Sequence, residues 1–184
     1  MCKRENEIMD YRDFYIETED LILKKAVHED WKDMYYNLWR HEESAKYMLW
    51  EVTKSEEKAI ERIEKSIEFM KKNKYALFIY EKKTGKAIGF VGMKEIEPGV
   101  YEDTGVALGP EFVGKGYGTQ VLNAIVDEAK KAGAHKFVCS CRKKNIASHK
   151  LQMSCGFVFS HDEDRVDPRD NTPYVLEFNE KQLS

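Results

Sequence analysis

Several things are scarce in this 184-residue sequence, and each scarcity excludes a class. Four prolines and 11 glycines are too few for a collagen-like or low-complexity chain. No uninterrupted apolar run approaches the roughly 20 residues that a membrane-spanning helix needs. The opening residues, Met1-Cys2-Lys3-Arg4-Glu5-Asn6-Glu7, place no apolar segment behind the two basic ones, so the expectation is a soluble cytoplasmic protein. Positive charge is not in excess: 30 Lys and Arg face 33 Asp and Glu, for a net charge of -3 and a pI near 6.0. Neither nucleic acid nor a membrane is therefore an expected partner. There are four cysteines. Cys139 and Cys141 alternate in an apolar stretch, Cys155 sits in a helical pattern and Cys2 lies near the terminus, which reads as reduced thiols. The Cys-x-Cys spacing has no second ligand pair and no histidine cluster beside it, so no metal site is expected. What is present, 42% hydrophobic and 34% charged residues, suits one globular domain over residues 1–184, with 1–15 set aside as a potential N-terminal extension.

Periodicity orders the elements. Leu21-Ile22-Leu23-Lys24-Lys25 reads as a strand, residues 29–40 as a helix with Trp31, Met34, Tyr35, Leu38 and Trp39 on one face, and residues 55–72 as a second helix capped by Ser55. The charges of that second helix read as its solvated face. Strands follow at 75–81 and 87–96, joined by a turn through Gly85, and at 101–108. A helix over 118–132 stopped by Gly133, a strand over 136–141 and a helix over 145–155 stopped by Gly156 come next. Two late strands, 157–160 and 173–179, flank a polar acidic loop at 161–172, whose Asp162-Glu163-Asp164 run is either an attractor for a cation or simple surface polarity. The order predicts an α/β (α+β) domain with a central mixed, mostly antiparallel twisted sheet flanked by helices on both faces.

The most informative stretch is Leu108-Gly109-Pro110-Glu111-Phe112-Val113-Gly114-Lys115-Gly116-Tyr117-Gly118-Thr119, between a strand and a helix, where backbone amides converge on anions. A Walker A loop fits from Gly109 to Lys115 and then fails, because Gly116 has no hydroxyl for magnesium; an ATP-binding protein is the third reading. A dinucleotide fingerprint fails because its third glycine would stand at Thr119. The remaining pattern, G-x-G-x-G entering an amphipathic helix, resembles motif A of the GCN5-related N-acetyltransferase superfamily when taken with Val106-Ala107-Leu108. Asn145, Ser148, Leu151 and Gly156-Phe157 resemble that superfamily's next motif. Glu19-Asp20-Leu21-Ile22-Leu23 resembles the opening of the branch that contains the ribosomal-protein N-terminal acetyltransferases.

The resemblance implies acetyl-coenzyme A as cosubstrate and transfer of its acetyl group to a primary amine, without an acyl-enzyme. It implies cofactor contacts at Val106, Ala107, Leu108, Val113, Gly114, Lys115, Gly116, Tyr117, Gly118, Thr119, Asn145 and Ser148, with the Leu108 N–H polarising the thioester carbonyl. Asn145 is equally the cap of its helix. Val113 stands where the superfamily usually has Arg or Gln, and Gln152 where some members have a tyrosine general acid, so the latter role is not carried over. Asp103 occupies the acidic position of the strand, with Glu102 and Glu95 in reserve. Alternation puts Glu102 and Asp103 on opposite faces, and both also read as solvated edge carboxylates. Keeping a lysine amine neutral at pH 7 costs about 4.6 kcal/mol against about 1 kcal/mol for an α-amine, which favours an α-amine acceptor on a peptide or a small molecule. Tyr36, Tyr47 and Trp50 fall near the acceptor side. The reading of another class is a non-catalytic acyl-coenzyme A sensor on the same fold, and the expected state is a monomer or homodimer.

Overall fold

The computed structural model describes residues 11–184. Cys2 and the opening basic residues lie outside the described residues, and Tyr15 already belongs to the sheet. Eight strands form one sheet in the order β1-β2-β3-β4-β5-β6-β8-β7: β1 Tyr15–Glu17, β2 Leu21–Lys24, β3 Leu77–Glu81, β4 Ala87–Glu97, β5 Val100–Leu108, β6 Lys136–Arg142, β7 Val158–Val166 and β8 Pro173–Gln182. Among the described residues, only β5 and β6 pair in parallel. One face is covered by α1 (Asp30–Met34), the π-helical turn Tyr35–Trp39 that continues it, and α3 (Glu56–Lys72). The short α2 (Glu42–Ala45) follows that turn. The other face carries α4 (Tyr117–Lys131) and α5 (Ile146–Ser154).

Local chemistry explains these elements. Ser55, extended at φ -151°, accepts the Lys58 N–H and starts α3, whose Ala59, Ile63 and Met70 are buried between acidic first and basic last turns. The far end of α3 is held from outside: the buried ammonium of Lys25 donates to the carbonyls of Met70, Asn73, Lys74 and Ala76 at 2.7–3.2 Å. These carbonyls include orphans that any helix C-terminus leaves. α4 buries Val121, Leu122, Ile125, Val126 and Ala129 and stops at Gly133, φ +94°. The core therefore has two halves, one on each side of the sheet.

Three differences from the sequence reading have physical causes. The acidic segment 161–166 is not loop: β7 runs through it, because cross-strand pairing with β8 at an edge satisfies the backbone while leaving charged side chains in water. Lys143 pairs Asp162 at 2.5 Å, Arg165 and His161 engage Glu163, and His161 stacks on Phe178, so the acidic run is largely neutralised. β1 is only three residues and exists by pairing with β2, too short for a periodic signal. The helix over 29–40 widens to a π turn at Tyr35 and buries Leu38 and Trp39 there.

Candidate active site

The site begins where the sheet interrupts itself. β5 and β6 pair in parallel only at Val100↔Lys136, Tyr101↔Phe137 and Glu102↔Val138, and then diverge. Next to that last pair, Thr104 is an extra residue in β5, since Gly92 faces Gly105 and Met93 faces Asp103; Gly105 takes φ +125°. At the apex of the divergence the carboxylate of Asp103 accepts the backbone N–H of Ser140 at 3.1 Å, standing in for a ladder bond that the open strands cannot make. Beyond it, successive residues of β5 turn their polar groups to opposite edges. Gly109 N donates to Ile88 O at 2.8 Å, so Leu108, and with it Val106, presents N–H and C=O to the gap, while those of Ala107 face β4.

The gap is a narrow slot with a cavity of about 90 Å³, walled by Tyr47 and Met48 on one side and Leu122, Ser148, Leu151 and Gln152 on the other. Of the three carboxylates singled out in the sequence, Asp103 alone lines it. Glu102 pairs with Lys94 across the sheet at 3.6 Å, and Glu95 accepts the Gly99 N–H at 2.9 Å to close the β4–β5 turn. Burial pushes the Asp103 carboxyl up to about 7; the Ser140 N–H bond opposes this and the neighbouring Glu102 charge adds to it. Burial and the Asp103 charge together push the adjacent Cys139 thiol well up. Cys139 and Cys141 are buried free thiols, as their alternation suggested, and so is Cys155.

The glycine loop leads from the end of β5 to α4. Gly114 and Gly116 have φ +76° and +80°, and an ideal Cβ at either would point into open space, so their amides are approachable by a bulky anion. Gly116 is the N-cap of α4, and the N–H groups of Tyr117, Gly118 and Thr119 follow as the helix's first, intrahelically unpaired donors. Gly118 is small for another reason: a Cβ there would sit 3.1 Å from Leu151, so the residue lets α5 pack against α4. Tyr117 sends its hydroxyl to Glu81 at 2.8 Å, fastening the loop to β3. Val113 and Thr119 are exposed, and the Lys115 ammonium lies 5.0 Å from the Phe112 ring centroid. The cradle of positive-φ glycines at a helix start fits a diphosphate, and the adjoining strand edge fits an amide-bearing arm.

At the foot of the slot, Asn145 accepts the Ser148 N–H at 3.2 Å and caps α5. The Ser148 hydroxyl bonds the Cys141 sulfur, and Gln152, in the tyrosine position, is buried and donates to Ser148 Oγ at 3.2 Å. Its carbonyl accepts from Asn179, which also donates to Glu177, itself 2.5 Å from His149 Nδ1. Sequence reasoning missed this network because its members lie on different elements and Asn179 belongs to no motif. It also missed the mouth of the site. There Asp167 takes Arg142 at 2.6 Å and Arg169 at 2.7 Å, which hold its carboxyl far below the usual range, and Arg169 reaches the Trp50 carbonyl at 3.1 Å. Arg142, which lines the slot, is thereby engaged in an ion pair. Tyr47 does line the slot, whereas Tyr36 bonds Glu56 at the surface.

A sheet splayed beside a glycine-rich helix start defines an acyl-coenzyme A-type transferase fold. Residues 20–158 match the family model for the acetyltransferase (GNAT) domain, and the chain belongs to that family. The L-amino acid N-acyltransferase MnaT of Escherichia coli is 34% identical over 74 residues, a match that spans 40% of this chain and only 43% of that protein. Among solved structures, the microcin C7 self-immunity acetyltransferase MccE, in complex with acetyl-CoA and AMP, superposes with a TM-score of 0.77 at 22% identity, over 90% of this chain and 94% of that one. A ribosomal-protein-serine acetyltransferase homologue from Vibrio cholerae gives a TM-score of 0.79 at 18% identity, over 94% and 99%. These structural likenesses show the fold.

Proposed function

We propose that this chain transfers the acetyl group of acetyl-coenzyme A to a primary amine, by direct attack within a ternary complex. The observation that carries the proposal is the juxtaposition of the open β5 edge, the Asp103 carboxyl at its apex and the positive-φ glycine cradle. The first motif-bearing residues then take these roles: Val113 to Thr119 supply amides to the diphosphate, Val106 and Leu108 pair with the pantetheine arm, and Asn145 and Ser148 border it. Acetyl-coenzyme A supplies an activated thioester. The Leu108 N–H faces the slot and donates to the acyl oxygen, where one aligned donor is worth about 3 kcal/mol. Asp103, titrating near neutrality, accepts the proton that the amine sheds, directly or through a water. The departing thiolate takes up a proton from solvent, and the Ser148 side chain borders the slot it leaves through.

Among the described residues no helix is long and apolar enough to cross a membrane. We further propose that it acts in the cytoplasm on a peptide or small-molecule amine, without nucleic acid or membrane, as a monomer or homodimer and as one domain over 1–184. Calorimetric titration with coenzyme A and a thiol-release assay over a panel of amines test the reading. Saturable binding with turnover is expected. Absence of coenzyme A binding defeats it, and binding without turnover on any amine leaves the sensor reading in its place.

A further inference from the structure

On the opposite face of the sheet from α4, a second and larger cavity of about 460 Å³ lies between α3 and strands β3 and β4. Its size suits a small organic molecule. Phe69, Phe78 and Phe90 give it an apolar body. Its lining includes Gly92 and Thr104, the residues that meet at the bulge beside Asp103. Phe90 is shared with the slot's surroundings: an ideal Cβ on Gly105 would lie 3.4 Å from Phe90 and 3.5 Å from Met48, a slot residue. Groove and slot thus meet at Gly105.

The groove's charge is one-sided. Arg62 and Lys65, one turn apart on α3, both line it, and among the described residues no carboxylate does. The Arg62 guanidinium is held between two indoles, 4.7 Å from the Trp39 ring centroid and 4.5 Å from that of Trp50. Its Nη1 donates to Thr53 Oγ1 at 2.9 Å and to the Glu51 carbonyl at 3.4 Å, both neutral acceptors. Among the described residues no carboxylate lies within ion-pair distance of either cation. The Trp50 Nε1 beside Arg62 is a buried donor with no acceptor. A fixed, partly desolvated guanidinium without a counter-charge is costly unless an anion completes it, and its planar fork is suited to a carboxylate.

Resting on the acetyltransferase reading, we propose that the groove binds the acceptor, and that the acceptor is a small apolar amino acid, its side chain on the phenylalanines and its carboxylate on Arg62 with Lys65. Arg62 is then a specificity determinant of the reaction, reading the carboxylate while the α-amine is presented toward Gly105 and Asp103.

The test uses matched probes that differ only in the anion: L-leucine, L-methionine and L-phenylalanine, each against its carboxamide, in a thiol-release assay at saturating acetyl-coenzyme A. The expected result is a kcat/KM at least about 10-fold higher for at least one acid than for its amide, with the difference in KM, as for loss of one charge-assisted bond. Arg62→Gln should bring that ratio close to 1. Because Arg62 also packs, the exposed Lys65→Gln is the second variant and should lower the ratio by a smaller factor without a change in Tm; a role of Arg62 in packing alone would leave the ratio intact in Lys65→Gln. Equal rates on acids and amides, or a preference for peptides whose carboxylate is remote, overturns the proposal. Coenzyme A affinity, measured separately by calorimetry, distinguishes failure of this proposal from failure of the acetyltransferase reading.

Discussion

Replacing Asp103 by Asn should make this protein more stable and slower, and the two effects should change with pH in opposite senses. Asn retains an oxygen for the Ser140 N–H, so the apex of the slot keeps its bond. What is lost is a carboxylate whose burial raises it from 3.8 to about 7, a difference equivalent to at most about 4 kcal/mol at a pH well above 7. The carboxyl retains some exposure, so we expect about 1–3 kcal/mol. The sign follows from proton linkage. A folded-state value above the unfolded one means that the folded chain holds the proton longer, so this group's contribution is most favourable below pH 4 and is lost as pH rises through 7. The variant should therefore match the parent near pH 4 and exceed it increasingly toward pH 8. In urea denaturation at pH 4.5, 6 and 8 the gap in unfolding free energy should widen at each step, and a chain of this size should gain about 2–4 °C in Tm per kcal/mol. The rate on an α-amine should fall by about 10²–10⁴ near pH 7, and the deficit should shrink at higher pH as the amine sheds its own proton. A stability gap that does not change with pH would refute the assignment of a raised carboxyl, and a rate profile identical to that of the parent would refute Asp103 as base.

Other consequences separate the glycines and the buried cations. Gly116→Val, at φ +80° on an open surface, should weaken coenzyme A binding by at least about 10-fold in calorimetry while costing about 1–3 kcal/mol from backbone strain. Gly118→Val should instead lower Tm by crowding Leu151, with the loss visible in the absence of any ligand. Lys25→Met removes the donor to four carbonyls at the end of α3 and should cost about 2–4 kcal/mol in chemical denaturation, the largest single loss outside the core. Burial pushes the thiols of Cys139, Cys141 and Cys155 up, Cys141 to about 11, so a thiol-reactive dye at pH 8 should modify all three only after unfolding.

Much of the fold was legible because its signals are local. Ser55, Gly85, Gly133 and Gly156 punctuate the chain where the structure has caps and turns, and the amphipathic pattern that follows the glycine loop is the helix α4. The cradle was legible too, since a strand end, two glycines of positive φ and a helix start are contiguous in sequence. What could not be read depends on residues brought together by tertiary contact. The charges of α3 read as a solvated face, yet Arg62 is stacked between indoles from two other segments. Gly118 read as another phosphate contact, yet its smallness is set by a leucine 33 positions later. The acidic run at 162–164 read as loop because Asp and Glu are poor strand formers, yet an edge position paired with β8 overrides that preference.

The divergence of β5 and β6 shows how a sheet makes a reaction site at the cost of its own regularity. One extra residue, Thr104, and one positive-φ glycine, Gly105, end the parallel ladder and leave Val106 and Leu108 with polar groups that a continuous sheet would have used. The strand pair must still be anchored at the point of divergence, and Asp103 does this with a side chain in place of a backbone group. An amide there would serve the anchor as well and without the burial of a charge. The carboxylate adds only one property, a group that titrates near neutrality and lines the slot. The desolvation that makes Asp103 unfavourable for folding is thus the same interaction that suits it to take a proton from an amine, and both follow from its place at the apex of the gap.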